Sequence, residues 1–210
     1  KSRGISINTS LVPIEWEGYK SNVLDTPGHF DFVGEVEEAM SAAGAAVIVV
    51  SGKAGVEVGT EKAWDLCEKY NLPRIIYVDG MDIDNASFRQ VVEDLTEKYG
   101  KKIAPFHLPI RENEKFVGYV NVISETGNRW EGKEVVECPV PDYNKANLEI
   151  CRETLMEAVA ETSEEFMERY FSGDTFSEAE IRSALKKNVN DCSIVPMTMG
   201  SSVLCQGIYT

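Results

Sequence analysis

The stretch VLDTPGH at residues 23–29 decides the fold. Its apolar residues lead into Asp25, and a turn sequence, Thr-Pro-Gly, follows. In open α/β sheets, ligands bind at the carboxyl ends of the strands, which is where Asp25, Gly28 and His29 would lie. A carboxylate there can hold Mg²⁺, directly or through water, and a glycine amide can donate to a phosphate oxygen. The stretch predicts an α/β protein with a ligand site, and an ordinary strand-to-helix turn is the plainer alternative.

Strand and helix patterns alternate around this stretch. Residues 11–16 and 19–25 indicate a β-hairpin that turns at Glu17-Gly18, and Phe32, Val36, Met40 and Ala43 are spaced as one helical face. The continuous apolar run at 45–50 is typical of a strand buried on both faces. Further helices are predicted at 60–70 and 87–99, and a further strand at 73–78. The alternation predicts a mainly parallel sheet with helices on both faces.

The sequence pattern changes at Gly100, after which prolines become frequent. We predict a β-rich stretch at 116–123, a turn at 126–128, helices at 146–171 and 177–188, and a final strand at 193–199. The sequence Ser-Glu-Ala-Glu at 177–180 has the form of a capping box. Residues 100–191 are therefore interpreted as an inserted α+β subdomain. Residues 1–99 and 192–210 would form the domain that contains the parallel sheet.

Composition excludes several classes of protein. The 210 residues carry 35 acidic and 21 basic side chains, a net charge of −14, which disfavours sequence-specific nucleic-acid binding. No apolar run is long enough to cross a membrane, so we expect a soluble protein. The five cysteines include no Cys-x-x-Cys pair and indicate reduced thiols in a cytoplasmic protein. The chain begins without Met, and we expect it to be a fragment.

Three more motifs fall at the ends of predicted strands or beside the hairpin. They are RGISI at 3–7, DGMD at 79–82 and GSS at 200–202. In order and spacing they resemble the guanine-nucleotide-binding domain of translational GTPases, whose sheet is of the P-loop GTPase type. The long interval between the last two motifs resembles the elongation factor G branch, which carries an inserted subdomain there. Ribosomal protection proteins and peptide-chain release factor 3 are similar enough to stay as alternatives.

The resemblance implies roles for the first motifs. Ser6 and Asp25 would hold Mg²⁺, with Ser6 standing where the family usually has threonine. Gly28 would contact the γ-phosphate of GTP, and His29 would position the attacking water once the ribosome has drawn it into place. The implied activity is GTP hydrolysis during translation, with GTP and GDP as ligands.

The base-recognition motif departs from the family pattern, Asn-Lys-x-Asp. Asp82, which would pair with guanine, is present, but Asp79 and Gly80 replace the first two residues. A carboxylate cannot donate a hydrogen bond, so Asp79 loses the contact that the amide makes with the base. Ser201 and Ser202 would lie in the loop that closes over the base through backbone amides. We expect weaker or altered nucleotide affinity.

The phosphate-loop pattern Gly-x-x-x-x-Gly-Lys-Ser/Thr occurs nowhere in the chain. By resemblance, this loop and its central strand would precede residue 1, so the sheet of this chain would lack its central phosphate-loop strand. We therefore expect residues 1–210 alone neither to hydrolyse GTP nor to bind it tightly. Calorimetry with GTP and magnesium would test this, and a sub-micromolar dissociation constant would overturn it.

The resemblance also implies partners on the ribosome. The sarcin–ricin loop would face His29, and the stalk protein of the large subunit would contact the inserted subdomain. The acidic stretch 149–168 is then either a solvated surface or that docking surface. His107 is predicted to be a half-buried strand residue instead of a ligand. A second hypothesis is a non-catalytic module that binds the ribosome or its stalk and has a degenerate nucleotide site.

Overall fold

The structure is a computed structural model that describes residues 4–132 and 134–208. The described residues form two compact units. We call residues 4–46 and 57–72 the hairpin unit, and residues 47–56, 73–132 and 134–208 the sheet unit. The division predicted from the sequence, with an insertion at 100–191, stays a prediction.

The hairpin unit begins with the two predicted strands, β1 (Ser10–Trp16) and β2 (Tyr19–Asp25). They pair antiparallel, with Trp16 opposite Tyr19 at the turn. Glu17 and Gly18 both have positive φ, 48° and 82°, as a tight two-residue hairpin turn requires. The predicted hairpin is confirmed. Among the described residues, β2 pairs with β1 alone.

Two helices complete the hairpin unit, α1 (Val33–Ala42) and α2 (Val58–Lys69). Lys69 of α2 forms an ion pair with Glu37 of α1, and the Tyr70 hydroxyl donates to the same carboxylate at 3.3 Å. The hydrogen bond and the charge of Lys69 lower the pKa of Glu37. The Glu37 carboxylate therefore joins two helices of this unit.

The remaining elements are strands β3 (Ala46–Ser51), β4 (Arg74–Asp79), β5 (Ile103–Pro105), β6 (His107–Glu112), β7 (Lys115–Asn121), β8 (Thr126–Glu131), β9 (Glu134–Cys138) and β10 (Val195–Met199), and helices α3 (Phe88–Tyr99), α4 (Asp142–Ala160), α5 (Glu164–Phe171) and α6 (Glu178–Asn190). One sheet has the order β3-β4-β10-β5, and β10 is parallel to both β4 and β5. The other has the order β6-β7-β8-β9 and is antiparallel. The predicted α/β architecture with parallel strands is confirmed.

Burial of β3 differs from the prediction. Ile48 and Val50 are buried, but Val47 and Val49 are 61% and 62% exposed. Side chains alternate between the two faces of a strand, so one face of β3 is covered and the other is open. The prediction of a strand buried on both faces is therefore wrong for the described residues.

The turn predicted at 126–128 is also wrong, because these residues begin β8. A Cβ at Gly127 would lie 2.5 Å from the carbonyl oxygen of Cys138 in β9. Glycine is needed at this position because the backbone of β9 passes close by, and a close backbone approach is a common reason for glycine in a strand.

The helix predicted over 146–171 is two helices. The Thr162 hydroxyl donates to the carbonyl of Val159 at 2.6 Å near the end of α4, and the Ser163 hydroxyl accepts from the Phe166 N–H at 3.2 Å to cap α5. Hydroxyl side chains compete with helical backbone bonds in this way and favour helix ends. The last predicted helix is confirmed as α6, where Ser177 and Glu180 form the predicted capping box.

His107 is more buried than the sequence predicted. It is 8% exposed in β6, with its ring edge-on to Tyr119 at 4.7 Å between centroids. Burial disfavours the charged imidazolium and lowers the pKa of His107 to about 4.

This shift makes stability depend on pH. The unfolded chain protonates His107 near its ordinary pKa of about 6.5 and the folded chain only near 4, so the free energy of unfolding falls as pH falls between these values. We expect this side chain to contribute a loss of about 2 kcal/mol from pH 7 to pH 5. Urea unfolding at both pH values should show a smaller loss in His107→Asn. His29→Asn, at the other histidine, should leave the loss unchanged; an equal loss in His107→Asn would contradict the assignment.

Candidate functional site

The predicted base-recognition residues follow two neighbouring strands of the sheet unit. β4 ends at Asp79 and β10 ends at Met199, and the two strands are parallel with Met199 opposite Val78. The segments 79–82 and 200–202 therefore leave the sheet side by side at its carboxyl edge. Ligands of open α/β sheets bind at this edge.

Gly200 ties the two segments together. Its N–H donates to the carbonyl of Val78 and its own carbonyl accepts from the Met81 N–H, both at 3.0 Å. A Cβ on Gly200 would overlap the Tyr77 hydroxyl and the carbonyl of Gln206. The position therefore admits no side chain. The Tyr77 hydroxyl is buried, and burial together with the nearby Asp79 raises its pKa to about 12.

Asp79 and Ser202 are in direct contact. The Ser202 N–H donates to Oδ1 of Asp79 at 2.7 Å, and the Ser202 hydroxyl donates to Oδ2 at 2.6 Å. Both carboxylate oxygens of Asp79 thus accept from one residue that is 123 positions away in sequence. The carboxylate fixes the loop after β10 to the end of β4.

Ser201 is fully buried and serves its own turn. Its hydroxyl accepts from the Leu204 N–H at 3.1 Å, and its backbone exchanges hydrogen bonds with Gln206 at 2.9 and 3.0 Å. The backbone N–H groups of Ser201 and Ser202 therefore both donate hydrogen bonds to acceptors within the protein. The predicted closure of this loop over a base through backbone amides stays a prediction.

Asp82 is an exposed carboxylate of this edge. Gly80 has φ of 75° and accepts from the Ile83 N–H at 3.0 Å, so the chain turns sharply between Asp79 and Asp82. Asp82 is exposed. Within residues 4–132 and 134–208 its carboxylate accepts no hydrogen bond and forms no ion pair. Its role in base recognition stays a prediction.

Arg111 is a residue of this edge that the sequence did not predict. One guanidinium nitrogen, Nη2, donates to the carbonyls of Met81 at 3.0 Å and Ala86 at 2.9 Å, and Nη1 donates to the carbonyl of Glu114 at 2.7 Å. Burial lowers the pKa of the Arg111 guanidinium. No local pattern could have found it, because the contacts span 25 and 30 residues.

The other predicted residues lie in the hairpin unit. Asp25 ends β2 opposite Ser10, so Ser6 lies four residues beyond the end of the paired strands. His29 is 54% exposed, and its Nδ1 accepts from the Asp31 N–H at 3.4 Å. A Cβ on Gly28 would meet nothing within 4 Å, so local packing does not require glycine there. The glycine leaves its backbone open to approach.

The two side chains predicted to bind Mg²⁺ carry the type of ligand atom that this ion prefers. Ser6 offers a hydroxyl and Asp25 an exposed carboxylate, which are the hard oxygen ligands that Mg²⁺ prefers. The described residues contain no group of three or more His, Cys, Asp or Glu side chains that could hold a metal by themselves. Such a sparse set fits an ion that keeps several waters and binds phosphate as well.

A family model described as the elongation factor Tu GTP binding domain matches residues 1–210. The chain belongs to this family. It is 36% identical to an elongation factor G from Thermotoga neapolitana over 99% of this chain, and 37% identical to one from Neorickettsia sennetsu over the same share. A crystal structure of a protein from Thermus thermophilus covers 95% of this chain with a TM-score of 0.87 and 33% identity.

These comparisons confirm the predicted resemblance and fold class. The chain is an elongation factor G-like member of the elongation factor Tu GTP binding domain family. It spans about 30% of the length of these curated relatives and of the Thermus thermophilus chain. Among the described residues, no helix is both long and apolar enough to cross a membrane.

Proposed function

We propose that this chain is the guanine-nucleotide-binding domain of a ribosome-associated translation factor that hydrolyses GTP. The observation that carries the proposal is the free carboxylate of Asp82 beside the Ser201–Ser202 loop, where β4 and β10 end together. Family membership supports it independently.

The chemistry of Asp82 suits guanine. A carboxylate accepts from two adjacent N–H groups, and guanine presents such a pair at its ring N1 and its 2-amino group. Adenine presents an acceptor at N1, so its lone pair would face the carboxylate. A site that pairs with hydrogen-bond donors strongly rejects a ligand without those donors, because the polar group of the site is then left without a partner.

Phosphate and metal contacts are proposed for three residues near the start of the chain. Ser6 and Asp25 would hold Mg²⁺, which when bound neutralises charge on the phosphates. The N–H of Gly28 would donate to the terminal phosphate. Nucleotide hydrolysis of this kind depends mostly on positioning and charge stabilisation, so few protein groups need to react.

His29 would orient the attacking water. Its exposed ring is open to a macromolecular partner, which supports a resting state that is slow until the ribosome repositions the side chain. The sarcin–ricin loop is the partner that we propose for this residue. Its contact would be local, which is compatible with a net charge of −14.

The acidic stretch predicted at 149–168 lies on α4, on α5 and on the residues between them. Its exposed carboxylates are Glu149, Glu153, Glu157, Glu161, Glu164, Glu165 and Glu168. The first four are spaced by four residues and therefore share one helical face. This charged face supports the proposal of a docking surface for the ribosomal stalk protein, with a solvated surface as the plainer alternative.

Competition between nucleotides tests the proposed function. We expect the intact protein to bind GDP at least about 100-fold more tightly than ADP, because only guanine satisfies Asp82. Displacement of a fluorescent GDP analogue by each unlabelled nucleotide, with magnesium present, measures both affinities. Equal affinities, or tighter binding of ADP, would refute guanine recognition at this edge.

The contact between Asp79 and Ser202 favours a second candidate, a non-catalytic module that binds the ribosome or its stalk. Both oxygens of Asp79 already accept from Ser202, and neither can donate to a base. A site weakened in this way could persist for docking alone. Binding of both GDP and ribosomes without hydrolysis on the ribosome would support this candidate.

The Asp79→Asn variant is expected to bind GDP roughly tenfold more tightly, the size of one added hydrogen bond. Its amide oxygen can still accept from the Ser202 N–H, and its NH₂ group gives the base a donor. Asp84→Asn, an exposed residue of the neighbouring loop, makes the same change of charge and should leave affinity unchanged. Weaker GDP binding in Asp79→Asn than in Asp84→Asn would show that the carboxylate assists binding.

A further inference from the structure

Residues 81–86 form the loop that carries Asp82, and Arg111 bonds to both ends of it. The Met81 and Ala86 carbonyls accept from one nitrogen of the guanidinium, Nη2, at 3.0 and 2.9 Å. Met81 and Ala86 are buried, whereas Asp82 between them is exposed. The loop is thus fixed at its two ends, and the carboxylate stands free between them.

The position of Arg111 is itself fixed. The register of β6 against β7 shifts between Ile110 and Arg111, and such a bulge redirects the following side chain. The Tyr143 hydroxyl accepts from the Arg111 N–H at 2.9 Å and donates to its carbonyl at 3.1 Å. Asn144 donates to the Pro109 carbonyl at 3.0 Å, so the start of α4 is bonded to β6 at two points.

The other side of the loop is held by the parallel sheet. The Met81 N–H donates to the Gly200 carbonyl at 3.0 Å, and the Ser87 N–H donates to the Gly52 carbonyl at 2.8 Å. Arg111 completes this frame with a contact from the antiparallel sheet. Without it, the carbonyls of Met81 and Ala86 would lose a charge-assisted partner, which is worth more than a neutral one.

We propose that Arg111 is a positioning residue, which holds the 81–86 loop so that Asp82 meets the guanine ring, and which links the antiparallel sheet to base recognition. The proposal rests on the proposed nucleotide function. A lysine would not make all three contacts, because Nη1 donates to the Glu114 carbonyl while Nη2 donates to the two loop carbonyls, whereas an ammonium is a single point.

Hydrogen exchange on the intact protein tests the positioning role without any nucleotide. In Arg111→Met, amides of the 81–86 loop, such as those of Ile83 and Ala86, should exchange roughly tenfold faster or more, since two carbonyl bonds are lost. Peptides from β6–β9 should keep their protection. Arg129→Met removes an arginine that pairs with Glu112 in the same sheet and should leave the loop unchanged. Unchanged loop exchange in Arg111→Met would overturn the proposal.

Base discrimination gives the second readout. Inosine lacks the 2-amino group of guanine, so the wild-type protein should bind GDP roughly tenfold more tightly than IDP. In Arg111→Met this ratio should fall towards one. If the two affinities fall by the same factor, Arg111 is merely structural and the proposal is wrong. If the wild-type protein binds neither nucleotide, the proposed function fails, and loop exchange alone decides whether Arg111 positions the loop.

Discussion

Replacing His29 with alanine is expected to lower ribosome-stimulated GTP hydrolysis by roughly 100-fold or more, the order of loss when a reacting group is misplaced. The exposed imidazole would orient water only once the ribosome has moved it, so the loss should appear in the stimulated rate. Phosphate release measured with and without ribosomes gives both rates.

Two controls separate this role from a structural one. The slow rate without ribosomes and the affinity for GDP should both match those of the wild-type protein, because His29 is exposed and its side chain contacts its near neighbours Asp31 and Phe32. Wild-type stimulation in His29→Ala would remove this residue from the mechanism.

The Asp82→Asn variant is expected to lose roughly 100-fold in GDP affinity and to gain affinity for xanthosine diphosphate. The asparagine amide places an N–H opposite the 2-amino group of guanine, so two donors face each other. Xanthine has a carbonyl oxygen in place of that amino group and can accept from the amide. A bidentate contact to a base edge is worth about 1–3 kcal/mol, which sets the size of the loss.

Asp84→Asn is the matched control for this change of charge, because Asp84 is exposed in the same loop. It should keep the wild-type preference for GDP. If Asp82→Asn also retains that preference, guanine is recognised elsewhere, and the frame around residues 81–86 has a purely structural role.

Local patterns were sufficient to predict much of the fold. The hairpin, the strand ending at Asp79, the last strand and the capping box of α6 depend on residues within a few positions of one another. The break between α4 and α5 was missed because hydroxyl side chains are compatible with a helix until they bond to its backbone, as Thr162 does.

Features set by distant residues could not be predicted. The residues around Gly127 are typical of a turn, and only the close approach of β9 explains why a strand has glycine there. The loss of a donor at Asp79 was evident from the sequence, but its contact with Ser202 requires two strand ends to meet. Arg111 has no signal at all, because a bulge in β6 determines what its side chain reaches.

The exposed face of β3 has the same cause. A run of β-branched apolar residues indicates a buried strand, and it contains no information on whether other elements cover both faces of that strand. Val47 and Val49 are exposed at the edge of the four-stranded sheet.

The most direct test of the central claim is the rate of nucleotide hydrolysis by the intact protein, with GTP or ATP and with or without ribosomes. We predict that the protein hydrolyses GTP slowly without ribosomes and that ribosomes raise this rate about 1,000-fold or more, as activating partners do for other GTPases. ATP should not be hydrolysed at a comparable rate. Hydrolysis of GTP that ribosomes do not accelerate, or equal hydrolysis of ATP, would contradict the account.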